Sequence, residues 1–167
     1  IAGGTKSADF PEVASGHDLS HNGQTDGFIV RLNSTTFSIL TGTFVGTNEY
    51  DQVYFVQTDT DNNIYVLGQS EGDMSISPGL YGQPNSGQFI RKYAVDLTSL
   101  TWSTTIGTGS GHVDISPTAF LVSDCNQIYF SGWGGFTNSN WCSGALNDCK
   151  AEESTTTGFP TTSDAFQ

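Results

Sequence analysis

Apolar positions in this chain fall in short runs rich in β-branched and aromatic residues, separated by clusters of Asn, Asp, Gly, Ser and Pro. Runs of this kind read as strands, because branched and aromatic side chains fit a pleated, half-buried surface. We place strands near Gly27–Leu32, Ser38–Phe44, Val53–Thr58 and Asn63–Gln69, then near Gln88–Val95, Leu100–Ile106, Thr118–Ser123 and Gln127–Ser131. Asp59-Thr60-Asp61-Asn62 and Asp124-Cys125-Asn126 read as tight turns, since short polar side chains bond their own backbone there. Antiparallel meanders follow from that spacing.

The pattern repeats. Asn62-Asn63-Ile64-Tyr65-Val66-Leu67-Gly68 returns as Asn126-Gln127-Ile128-Tyr129-Phe130-Ser131-Gly132, an offset of 64. Phe28-Ile29-Val30-Arg31-Leu32 returns as Phe89-Ile90-Arg91-Lys92-Tyr93, an offset of 61. Four-stranded units repeated in series are the signature of β-propeller blades, each burying its faces against its neighbours. The expected fold is therefore all-β: a β-propeller fragment with two four-stranded antiparallel blades and partial blades at both ends. We divide the chain into 1–26 (end of a preceding blade), 27–70 (first blade), 71–135 (second blade) and 136–167 (a Cys- and Trp-containing insertion and the start of a next repeat). Two units cannot close a ring, so a slice of a larger protein is expected.

Composition supports the β reading. Gly, Ser, Thr and Asn supply 42% of the residues. Gly loses backbone entropy in a helix, and the other three compete for backbone hydrogen bonds, which excludes a helical bundle. The 12% aromatic content provides a core and argues against disorder. Seventeen acidic residues against five Lys and Arg give a net charge of −12. Phosphate binding needs clustered cations, so nucleic acid is a poor partner and anionic membrane surfaces are disfavoured. Apolar runs such as Tyr54-Phe55-Val56 are far too short to cross a bilayer, and no transmembrane segment is expected.

Gly3-Gly4-Thr5-Lys6-Ser7-Ala8-Asp9-Phe10-Pro11 and Gly158-Phe159-Pro160-Thr161-Thr162-Ser163-Asp164-Ala165-Phe166-Gln167 add a further clue. With Asp26-Gly27-Phe28-Ile29-Val30-Arg31-Leu32 and Asp61-Asn62-Asn63-Ile64-Tyr65-Val66-Leu67-Gly68, they resemble the SBBP, or seven-bladed β-propeller, repeat. The stretch Gly111–Leu121, followed by Ile128–Gly135, is similar to large surface proteins of gliding bacteria that carry a gliding-motility-associated C-terminal domain. The resemblance implies export by the type IX secretion pathway and residence outside the cell or on the outer face of the outer membrane. The second unit departs from the pattern, with Ser75-Ile76-Ser77-Pro78 in place of the Asp-Phe-Pro phrase.

Candidate chemistry is sparse. Asp59, Asp61 and Asn63 carry the alternating oxygens of a calcium loop, yet the sixth-position Gly and twelfth-position Glu of an EF-hand are missing. A structural turn is the leading reading and calcium the alternative; no other cofactor is expected. His17 and His21 stand four apart, but Gly16 and Gly23 favour a solvated loop over a metal-binding helix. Gly107-Thr108-Gly109-Ser110-Gly111 lacks the Lys and following helix of a phosphate loop. No acyl-transfer nucleophile or spaced acid–base pair stands out, so no catalytic residue is assigned.

Cys142 and Cys149 enclose a short polar segment that suits a small disulfide loop; zinc is the alternative, without CxxC spacing to support it. Cys125 is expected as a buried free thiol or as the partner of something outside the chain. Trp133, Phe136 and Trp141 are the candidate binding residues, able to stack on sugar rings or anchor a protein. The competing reading makes them a cap on the blade interior. The expected function is a non-enzymatic scaffold or adhesion surface, with the remaining blades, other surface proteins or glycans as partners. A glycan-binding or glycan-degrading propeller is the alternative.

Overall fold

The computed structural model describes residues 1–9, 15–134, 140–142, 149–151 and 156–165, with 140–142 and 149–151 as backbone. Strands β1 (Ala2–Thr5), β2 (Asp26–Leu32) and β3 (Ile39–Val45) form a three-stranded antiparallel sheet in chain order. A four-stranded antiparallel meander follows, made of β4 (Asp51–Thr58), β5 (Ile64–Ser70), β6 (Gln88–Tyr93) and β7 (Leu100–Ile106). Strands β8 (Ser116–Val122) and β9 (Ile128–Trp133) make a two-stranded antiparallel sheet. A short ribbon joins β10 (Asn140–Cys142) to β11 (Cys149–Ala151). The fold is all-β.

The grouping of strands differs from the sequence expectation. The four strands expected as a first blade fall in two sheets: β2 and β3 belong to one, β4 and β5 to the next. Repeat frame and sheet frame are out of step by two strands. The reason lies in the connections. The short link from β3 to β4 looks like a hairpin loop, but Asp51 Oδ2 accepts bonds from Thr47 N at 2.6 Å and Thr47 Oγ1 at 2.9 Å, and the chain turns out of the sheet. By contrast, the long 71–87 connection brings the chain back beside β5, where Ser70 N donates to Gly87 O at 3.0 Å.

Irregularities recur with the repeat. The β2–β3 ladder slips at Arg31/Leu32 and the β6–β7 ladder at Lys92/Tyr93. Likewise β4–β5 slips between Val53 and Phe55, and β8–β9 between Pro117 and Ala119. Bulges are built features that raise local twist. Their recurrence at the repeat offsets means the two copies share backbone geometry as well as side chains.

The sheets stack through two apolar layers, sorted by the two-residue period of the strands. Ile64 and Val66 of β5, with Phe89 and Tyr93 of β6, meet Ile29 of β2, Val45 of β3 and Val53 of β4 in one layer. Tyr65 and Leu67 of β5, with Ile90 of β6, face Phe120 and Val122 of β8 in the other. All seven residues of β5 are consequently buried. Full burial of each of its aliphatic side chains, Ile64, Val66 and Leu67, contributes about 1.5–3 kcal/mol.

Candidate functional site

Polar contacts at the expected calcium turn are already taken. Asp59 is buried, and its Oδ1 accepts from Asp61 N at 3.0 Å and Asn63 N at 2.9 Å. Its Oδ2 accepts from Asn63 Nδ2 at 3.0 Å and pairs with Lys92 Nζ at 2.9 Å. Asn62 takes a φ of 64°, and its amide donates to Asp59 O at 3.0 Å, closing the turn. Asp59, Asp61 and Asn63 do not fit calcium: Asn63 presents its N–H donors to the carboxylate, and the lysine ammonium supplies the positive charge. Burial alone would raise the Asp59 pKa, but the Asn63 and Lys92 hydrogen bonds outweigh it and hold the group well below the usual carboxylate range. Among the described residues, no group of three or more His, Cys, Asp or Glu is arranged to hold a metal.

The other sequence candidates separate in space. His17 lies edge-on to Tyr93 with ring centroids 6.0 Å apart, and His21 edge-on to Phe44 at 5.9 Å. Loop is right for this segment: His17 is exposed, and His21 is half-buried with its Nε2 3.3 Å from Thr5 O. In the Gly107–Gly111 stretch the amides bind the chain itself: Thr108 N donates to Asp114 Oδ2 at 2.7 Å and Gly111 N to Asn85 O at 2.8 Å.

The expected Cys142–Cys149 disulfide is corrected. The two residues stand directly opposite one another on β10 and β11, yet no Sγ–Sγ pair is formed. The backbone ladder itself closes this ribbon. Cys125, expected as buried or paired elsewhere, is a free thiol exposed at a turn. It sits at the tip of the hairpin between β8 and β9, where short polar residues keep the side chain in solvent. Phe136 and the side chain of Trp141 lie outside the described residues.

Trp133 stands at the end of β9, half exposed. Strand β9 is the feature that sets this region apart. Among the described strands it pairs with β8 alone. Its repeat counterpart β5 pairs on both sides. The contrast shows in the side chains: Tyr65 is 2% exposed and its counterpart Tyr129 is 54% exposed. Beside β9 lies a cavity of about 770 Å³, lined by Ile115, Phe130, Ser131 and Gly132 together with Thr156–Phe159 and Thr161. Exposed aromatics and an adjoining cavity thus lie together at this end of the described chain.

Sequence reasoning missed three groups. Lys92 as the partner of Asp59 comes from a strand far along the chain. Buried Asp51 and Asp114 each clamp a threonine, Thr47 and Thr108, in the crossings between sheets. The recurrence of Gly46-Thr47 as Gly107-Thr108 was the available signal for those clamps. Asp26 Oδ2 similarly accepts from Asn22 N at 2.8 Å at the entry to β2. No helix among the described residues is long and apolar enough to cross a membrane. In comparison with known proteins, the chain matches no family model and no curated protein.

Proposed function

We propose that this chain is a repeat-built segment of a larger secreted or cell-surface β-propeller protein, and that it serves as a non-enzymatic scaffold presenting an interaction surface. The observation that carries the reading is the stack of three sheets built from one repeated strand pattern. The four-stranded meander in the middle has apolar layers on both faces. The flanking sheets hold strands equivalent to its last three (β1–β3) and its first two (β8–β9). Sheets related in this way pack as blades pack, face to face in series.

The acidic surface fits an extracellular setting, where charge and hydroxyl groups maintain solubility. Export through the type IX pathway follows from the resemblance to gliding-bacterial surface proteins and rests on it. Two measurements test the reading. Electron microscopy of the native protein is expected to show a ring of radial sheets, and an open sandwich overturns the propeller. Protease treatment of intact cells is expected to remove the protein, and full protection overturns the surface location.

A further inference from the structure

The two crossings between sheets share a threonine clamp, but they are not chemically equal. In the second, Thr108 divides its donors: its amide bonds Asp114 Oδ2 at 2.7 Å and its hydroxyl bonds Oδ1 at 2.8 Å, so both oxygens are satisfied. In the first, Thr47 gives both donors to Asp51 Oδ2, and the buried Oδ1 has no hydrogen-bond partner among the described residues. A second carboxylate lies beside it. The parallel bridge of Thr25 to Tyr50 sets Asp26 next to Asp51, and Asp51 N donates to Thr25 O at 2.7 Å. Asp26 Oδ2 accepts from Asn22 N at 2.8 Å, while its Oδ1 is likewise buried without a partner. Both residues are 0% exposed. One repeat further on, Gly87 holds the place of Asp26, and a methyl group there would already strike His112 O. The clamp itself needs only one acid.

Two buried carboxylates, each with one bare oxygen, are costly unless a positive charge joins them. The ion pair among the described residues, Lys92 with Asp59, lies at the other end of β4. We propose that Asp26 and Asp51 hold a calcium ion through their Oδ1 atoms, at the crossing from the first sheet to the meander. The donors are all oxygen and carry two negative charges, which suits a hard divalent cation. Ser70, paired with Asp51 across β4 and β5, brings its hydroxyl to the same carboxylate. Gly46 backs the other one, since a methyl group there would stand 2.9 Å from Asp26 Cγ. Carbonyls and water, which calcium accepts readily, would complete the shell. Two carboxylates are few for this ion, so the affinity belongs to the weak class of extracellular modules, about 10⁻⁴–10⁻³ M. Bound there, calcium fastens the start of β2 to the start of β4.

The site needs neither ring closure nor export. The test uses the purified 167-residue protein, stripped with a chelator and titrated with calcium chloride at neutral pH, up to about 10 mM and at constant ionic strength. Tm is expected to rise with calcium, and hydrogen exchange to slow at 22–26 and 46–51. Asp26→Asn is expected to weaken the apparent calcium affinity at least about tenfold. Asp114→Asn, at the crossing with a single acid, is expected to leave the calcium response in place. No rise in Tm overturns the proposal, as does an equal rise with sodium, which is screening of the acidic surface. An unchanged response in Asp26→Asn overturns it too. If that variant does not fold, hydrogen exchange of the parent decides: protection by calcium confined to any other segment, the Asp59 turn included, overturns the site. A parent stabilised by mild acid and indifferent to calcium shares a proton between the two acids, which also overturns it.

Discussion

Lys92 Nζ stands 2.9 Å from Asp59 Oδ2, tying β6 to the turn between β4 and β5 across the intervening strand. Asp59 is nearly inaccessible there, while the lysine ammonium stands over the Tyr65 ring, 4.8 Å from its centroid. The ion pair therefore locks a hairpin turn to a strand that the hairpin does not itself contain.

Removing one partner of such a pair leaves a buried charge without compensation. Lys92→Met is expected to cost about 3 kcal/mol in urea unfolding, and adding Asp59→Asn to recover part of that loss. Additive losses in the double variant would show that the two residues act independently.

The same carboxylate predicts an acid limb. Its folded pKa lies below the unfolded value of about 3.9, so its stabilisation is present above that pH and disappears as pH falls through the folded pKa. Asp59→Asn should flatten the decline in urea midpoint below about pH 4. An unchanged acid limb would remove Asp59 from that account.

Asp51 predicts the opposite slope. Burial raises its pKa, the nearby Asp26 charge adds to this, and hydrogen bonds from Ser70 and Thr47 oppose it. Its Oδ1 is buried without a hydrogen-bond partner. A carboxylate whose folded pKa exceeds its unfolded one loses stability as pH rises between the two values. Asp51→Asn should thus gain stability relative to the parent on going from about pH 4 to pH 7, measured by urea midpoints at both. A constant difference would mean that the surroundings of Asp51 do not raise its pKa.

Phe89 and Gly68 pack as a matched pair. Phe89→Ala should cost about 3–5 kcal/mol through the cavity it leaves. Gly68→Ala should cost at least about 1–3 kcal/mol, because the new methyl meets both the Phe89 ring and the Gln52 carbonyl. If the double variant is no better than the sum of the singles, the ring and the glycine are not coupled.

Cys125 should react with a thiol probe in the native state at the rate of an exposed cysteine, and Cys125→Ser should remove that fast phase. Labelling that waits for unfolding would restore the buried thiol expected from the sequence.

Strand positions were legible because alternation, β-branching and turn residues are local signals. Ile64–Ser70 and Leu100–Ile106 fall within one residue of their expected ranges. Even the repeated bulges lie at the repeat offsets. Trp133, one of the candidate binding aromatics, stands half exposed at the end of β9.

By itself the sequence determined an all-β chain with a repeat of about 61–64 residues, and turns closed by Asn and Asp. Tertiary structure alone decided which strands share a sheet. Strand pairing depends on the direction a connection takes, and here one clamp, Asp51 on Thr47, turns a short link out of the sheet. It also decided that Asp59 meets Lys92, and that, among the described strands, β9 pairs with β8 alone. Such outcomes depend on long-range proximity, which local residue spacing does not encode.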